Sequence, residues 1–299
     1  MEITEKLKTE ITAKLDTFVE RIGSQNRAAQ MLGVSAAYLS SIRSGKWEKI
    51  ADKTWRLLGK QLLSRDWKLV RTANFDTIQA TCLDCQDNGL TRFITGYSGA
   101  GKTTALRHYA REARDVIYVH CLDGTTRKQF LRDVLTAMGV EYEGNERQLL
   151  DRVRREFLAM EAPLLILDDA GKLPLRLLQK VQQVYDLTRS ETGEGNLGII
   201  LAGVDYAYDN LKKWALRERA GAPELRRRIG YNQQLSRPSK KEVSAVASKN
   251  GIEEDGVIND LWRHCKDFGS LAEAIRNIQR LPDDADIQEA IGGKEVAYA

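Results

Sequence analysis

Gly96-Tyr97-Ser98-Gly99-Ala100-Gly101-Lys102-Thr103 is the stretch that decides the fold of this 299-residue chain. Glycine, four residues, glycine, lysine and threonine is the spacing of a phosphate-binding loop. Such a loop works because consecutive backbone N–H groups and a helix N-terminus point at phosphate oxygens, which requires glycine wherever a side chain would collide. Gly96, Gly99 and Gly101 give that clearance, with Ser98 and Ala100 completing the cradle. Lys102 is expected to reach the β- and γ-phosphates, the Thr103 hydroxyl to ligate Mg²⁺, and Thr104 to donate near the α-phosphate. ATP with Mg²⁺ is therefore the expected ligand. A strand is predicted over Arg92–Thr95 and a helix directly after the loop, the context this motif requires.

Outward from the loop, short apolar runs alternate with amphipathic stretches. Val116–Cys121, Leu164–Asp168, Leu197–Ala202 and Ile229–Leu235 read as four further strands separated by helices, an α/β pattern with a parallel sheet covered on both faces. In Leu164-Leu165-Ile166-Leu167-Asp168-Asp169, four apolar residues make a buried strand whose acids emerge at its carboxyl end. Asp168 is the expected Mg²⁺ residue. After Pro238 the pattern becomes purely helical, with Lys240–Asn250, Gly256–Cys265 and Ser270–Arg280 forming a small lid. The expected domains are 1–70, 71–236, and 237–299 with its tail.

The N-terminal part differs in kind. From Gln25 to Gly45 two short helical patterns flank Leu32-Gly33-Val34-Ser35, a helix-turn-helix signature of the phage repressor type. Gly33 permits the turn, and Ser35 caps a second helix whose Tyr38, Leu39 and Ile42 are expected to face inward. The second helix, the reading helix of this motif, offers Ser35, Ser40 and small neighbours in place of the side chains that bind base edges bidentately, so weak sequence preference is expected. Arg27, Arg43, Lys46 and Lys49 are the expected phosphate contacts. Fourteen Lys/Arg against eight Asp/Glu up to Arg71 give +6 there, within a whole-chain balance of +4. Residues 46–74 form a basic connector with a packed face at Trp55, Leu58, Leu62 and Leu63.

No apolar run reaches the roughly 18 to 20 residues of a membrane span, and the first residues lack a secretion signal, so no membrane partner and a cytoplasmic location are expected. Cys82 and Cys85 make a lone CxxC. Either they are a zinc or redox pair or they are buried helix cysteines; without a second pair, the latter is the better reading.

Taken together, a repressor-like helix-turn-helix, an AAA+ core and a helical lid resemble the phage Mu B-like family of target-DNA activator ATPases, cousins of TnsC and the insertion-sequence helper ATPases. The resemblance includes Leu164–Leu173, Leu197–Gly203 with Tyr206–Leu211, and Arg228-Ile229. It implies a protein that binds ATP, assembles on itself as a filament along double-stranded DNA, and delivers that DNA to a DDE transposase. It also implies that Asp169 acts as the base on the attacking water, that Arg228 reaches a neighbour's γ-phosphate, and that Arg127, Lys128, Lys172 and Arg176 grip DNA from the core. Three positions depart from the family: Asp169 replaces Glu, Val204 replaces the Asn after the fourth strand, and Ala272 replaces the lid Arg. Loss of one such preorganised group commonly costs about 10² to 10³ in rate, so slow or partner-dependent hydrolysis is expected. A helix-turn-helix transcription regulator with a nucleotide switch, or a helicase-loader-like ATPase, are the competing readings.

Overall fold

The computed structural model describes residues 4–62, 67–189, 196–279 and 291. Its centre is a sheet of five parallel strands: β1 (Thr91–Thr95), β2 (Val116–His120), β3 (Leu164–Asp168), β4 (Gly198–Gly203) and β5 (Ile229–Gln234). Their spatial order is β2-β3-β4-β1-β5. The phosphate-loop strand thus lies inside the sheet, between β4 and β5. β3 and β4 are buried at every position, as continuous apolar strands covered on both faces must be. β5, at an edge, is exposed at Gly230, Tyr231 and Gln234.

Alternation along the strands divides the core in two. Leu164 and Ile166 face a cluster built on α5 (Ala73–Asn88) and α6 (Lys102–Glu112), which also holds Phe75, Ile78 and Leu106. Leu165 and Leu167 face the opposite cluster, filled by α7 (Arg127–Ala137), α8 (Glu146–Leu158), α9 (Leu175–Leu187), α10 (Asp205–Leu216) and α11 (Ala222–Arg228). Cys82 and Cys85 lie buried and unoxidised on α5. Burial pushes both thiols up, Cys85 to about 12. Both side chains pack in the core cluster with Phe75, Ile78 and Leu106.

Two smaller clusters flank the sheet domain. The lid helices α12 (Lys240–Lys249), α13 (Asp255–His264) and α14 (Phe268–Ile278) share one, and Trp67 and Val70 pack against it. The segment 67–73 is therefore a strap along the lid, where the sequence suggested a connector belonging with the N-terminal part. Lys68 N–H donates to Asn250 Oδ1 at 2.9 Å, Asn250 Nδ2 returns a bond to Lys68 O at 3.2 Å, and Ala73 N–H donates to Glu242 Oε1 at 2.8 Å.

The other cluster joins α1 (Glu5–Ile22), α2 (Gln25–Leu32), α3 (Ala36–Arg43) and α4 (Asp52–Leu62) around Ile11, Leu15, Leu39, Ile42, Trp55 and Leu58. Gly33 adopts φ +64°, the left-handed turn between α2 and α3. Ser35 Oγ accepts from Tyr38 N–H at 3.2 Å, capping α3. Leu39 and Ile42 are fully buried as expected, but Tyr38 is 43% exposed. On so short a helix the buried stripe is one residue wide, and Tyr38 stands about 100° away from Leu39. No helix among the described residues is long and apolar enough to cross a membrane.

Candidate nucleotide site

β1 runs straight into the loop, and α6 starts at Lys102 with Gly101 at its N-cap in the left-handed region (φ 85°). Gly99 is also left-handed, and a Cβ there would collide with the Asp267 carboxylate at the start of α14, so the lid rests directly on the loop. The first amides of α6 have no acceptor within the helix and make an anion-seeking terminus. Lys102 is 8% exposed, and its Nζ donates to Gly96 O at 2.6 Å and Tyr97 O at 2.9 Å. Burial lowers its pKa from the ordinary lysine value, opposed by the charges of Asp168, Asp169 and Asp205.

Asp168 is wholly buried at the tip of β3. Tyr118 Oη donates to its Oδ2 at 2.7 Å, and Asp169 N–H donates to its Oδ1 at 3.1 Å. Burial and then the bond to Asp168 push the Tyr118 phenol well above its usual range, so it remains a donor. Arg107 Nε donates in turn to Tyr118 Oη at 3.2 Å. Asp169 has a left-handed backbone (φ 57°) and precedes a short 3-10 turn, Ala170–Lys172, without capping it through its side chain. Its Oδ2 instead accepts from Lys172 Nζ at 2.9 Å. His120, at the tip of β2, places Nδ1 3.8 Å from Asp168 Oδ2 and Nε2 3.9 Å from Asp169 Oδ2.

A cavity of about 520 Å³ opens over the loop. One end is polar, formed by Ser98 to Thr104 and Asp169; the other is apolar, formed by Trp67, Leu69, Val70, Phe75, Val246 and Phe268. Val204 and Ala272 line it at the two places where the sequence departs from a polar residue, and Arg276 completes the wall with its guanidinium 5.2 Å over the Trp67 ring. The volume suits a nucleotide-sized ligand, and the division into a cationic end and an apolar end suits phosphates and a base. The residues also suit Mg²⁺, which is held by few protein groups together with phosphate oxygens and water; Thr103 stands in the cavity wall and the Asp168 carboxylate close enough for its charge to act on Lys102.

The remaining expected residues are scattered. Arg228 ends α11, pairing with Asp186 at 2.5 Å and lying over the Tyr185 ring. It is thus turned toward α9 within its own chain. Arg226 stacks on Tyr208, and Arg227 is exposed with no ion pair among the described residues. Lys128 and Arg176 are exposed, while Arg127 lies 4.0 Å from Glu146. In the helix-turn-helix, Ser40 and Lys46 are exposed, Ser35 is spent on its cap, and the Arg27 and Lys49 side chains lie outside the described residues. Arg43 pairs with Asp16 at 2.6 Å and donates to Gln25 Oε1 at 3.1 Å. That pairing makes Arg43 a tie between α1, α2 and α3, which the sequence read as a phosphate contact.

Sequence reading missed Tyr118, His120, Asp205, Asp267 and Arg276. Asp205 carried a signal, since it stands two residues past the carboxyl end of β4, next to β3, whose last residue is Asp168. Trp67 and Arg276 carried none, because only the packing of lid against strap brings them to the cavity.

The strand order, the loop after β1 and the acid at the tip of β3 define an α/β P-loop protein of the AAA+ fold, the fold of nucleotide-hydrolysing ATPases. Residues 87–211 match the family described as AAA domain (AAA_22). An ATP-dependent DNA helicase Pif1 from Psychrobacter sp. (strain PRwf-1) is 28% identical over 135 residues, covering 42% of this chain and 20% of the helicase; the chain spans about a fifth of that relative's length. The ORC2 protein of Aeropyrum pernix, solved in ADPNP and ADP complexes, is similar in fold with a TM-score of 0.53 at 17% identity, over 76% of this chain and 68% of that one.

Proposed function

We propose that this chain is an ATP-dependent DNA-binding protein of transposition that assembles along target duplex DNA with little sequence preference, presents it to a DDE transposase and stimulates strand transfer. One observation supports the reading: Ser98 to Thr104 line the cavity, and Val204 and Ala272 line it where groups that speed hydrolysis are expected. Such a site favours occupancy over turnover. ATP then serves chiefly to hold protomers together, and its slow hydrolysis lets them go.

In this reading Gly96 to Thr104 cradle the phosphates and Lys102 leaves its loop carbonyls for the β- and γ-phosphates. Thr103 and Asp168 would hold Mg²⁺, which would supply positive charge against the negative charge of the phosphates. Asp169 takes the proton of the attacking water. The cation facing that charge comes from a neighbouring protomer's Arg226–Arg228 run, where Arg227 is free to reach outward and Arg228 must first leave Asp186. Ser40 and Lys46 of the helix-turn-helix, with Lys128, Lys172 and Arg176 of the core, contact phosphates.

Electron microscopy with ATP and random-sequence duplex DNA tests this. Regular filaments that need ATP, and a target-dependent gain in strand transfer when a cognate transposase is added, are the expected results. Discrete binding to a single operator sequence without assembly supports the regulator instead and sinks the proposal.

A further inference from the structure

The acid expected to act as base is already engaged. Asp169 Oδ2 accepts from Lys172 Nζ at 2.9 Å and has His120 Nε2 3.9 Å away. Its hydrogen bond and charge raise the Lys172 pKa, so the ammonium stays charged. An aspartate that is one methylene shorter than glutamate, fixed at a strand tip in the left-handed region, sweeps a small arc. With its Oδ2 held by an ammonium, it lines the cavity already committed to a partner.

Lys172 also sits at a corner open to solvent. It follows β3, Lys128 stands just inside the helix that follows β2, and these two strands are neighbours whose carboxyl ends point the same way. Arg176 is exposed four residues further on. Three cations at one end of the sheet, among which Lys172 alone touches the base, suit a row of backbone phosphates. One ammonium cannot serve a carboxylate and a phosphate with equal strength, so the two compete for it.

We propose that Lys172 is a positioning residue that couples DNA to hydrolysis: in the DNA-free protein it restrains Asp169, and a duplex phosphate that captures Lys172 releases Asp169 to act. This rests on the ATP- and duplex-binding reading above. In the released state the water oxygen forms a bond to the γ-phosphorus, the bond to the bridging oxygen breaks with its electron pair leaving on ADP, and the water proton passes to the Asp169 carboxylate.

The test is phosphate release by the full chain at saturating ATP, with and without random-sequence duplex, while a fluorescent ATP analogue reports occupancy. The wild type is expected to be slow alone and faster with duplex. Lys172→Ala is expected to raise the DNA-free rate about two- to fivefold, the scale of an exposed ion pair, and to bring the ratio of rates with and without DNA toward one. Lys172→Arg, which returns a cation to Asp169, is expected to lower the DNA-free rate again. A residue that merely contacts phosphate leaves the DNA-free rate unchanged. A DNA-free rate in Lys172→Ala no higher than the wild type therefore overturns the proposal, as does a wild type that duplex does not stimulate. Asp169→Asn is expected to bind the analogue but hydrolyse nothing under either condition. A wild type that fails to bind the analogue overturns the ATP reading and this coupling with it, whereas the other two failures leave ATP binding standing.

Discussion

The Lys102 ammonium is held by carbonyls of its own loop, and a phosphate would replace them with charged partners. Lys102→Ala is thus expected to weaken ATP binding about 10- to 100-fold by calorimetry, the value of one or more charge-assisted bonds. Burial lowers its folded pKa below the ordinary value of 10.5. As pH climbs from that folded value toward 10.5, the unfolded chain keeps this proton longer than the native one, so stability rises across the window. In Lys102→Met, denaturant midpoints measured through the same alkaline range are expected to lose that rise. Tyr118→Phe removes a donor from the buried Asp168 carboxylate and is expected to cost about 1–3 kcal/mol of stability in a denaturant titration. At this scale the loop and the Asp pair were legible because each is contiguous, with its chemistry written in neighbouring residues. Tyr118 and His120 were not: both lie on another strand, and only the register of His120 beside Asp168 brings them there.

At the scale of elements, local grammar located most of the molecule. The five strands and three lid helices start and stop within about two residues of expectation, because apolar runs, caps and prolines bound them. α1 is less legible, because its stripe of Leu7, Ile11, Leu15 and Val19 is set among closely spaced charged residues. The strap is illegible for a different reason: its partners lie about one hundred and eighty residues away, with Lys68 bonded to Asn250. Glu242 joins both ends of that arrangement, accepting from Ser239 N–H and Oγ in a capping box and from Ala73 N–H. Burial works against its charge, but these bonds together hold its pKa below the usual glutamate value of 4.5. Its contribution is therefore present above that value and lost as pH falls through the lower, folded one. Glu242→Gln is expected to flatten the acid limb of a pH–melting curve, and Glu242→Ala to cost about 0.5–2 kcal/mol as the cap is lost.

For the whole molecule, the proposed assembly along DNA would separate the arginines of α11. Arg227→Ala is expected to slow ATP turnover in DNA-bound assemblies while the protomer keeps its ATP affinity, as measured by phosphate release and analogue binding side by side. Arg228→Ala is expected to act first on the protomer, through the lost pair with Asp186, by about 1 kcal/mol or less. Neither outcome follows from the spelling Arg-Arg-Arg, which gives three equal cations; the fold makes them unequal by supplying Tyr208 and Asp186 to two of them. The strap along the lid has a last consequence, for where this chain divides. Trp67, Leu69 and Val70 wall the apolar end of the nucleotide cavity although they precede the first helix of the sheet domain. A fragment beginning at Trp67 carries the whole cavity, while one beginning at Ala73 has lost the wall that the base would lean on. The unit that carries the nucleotide cavity therefore starts inside what the sequence reads as a basic connector.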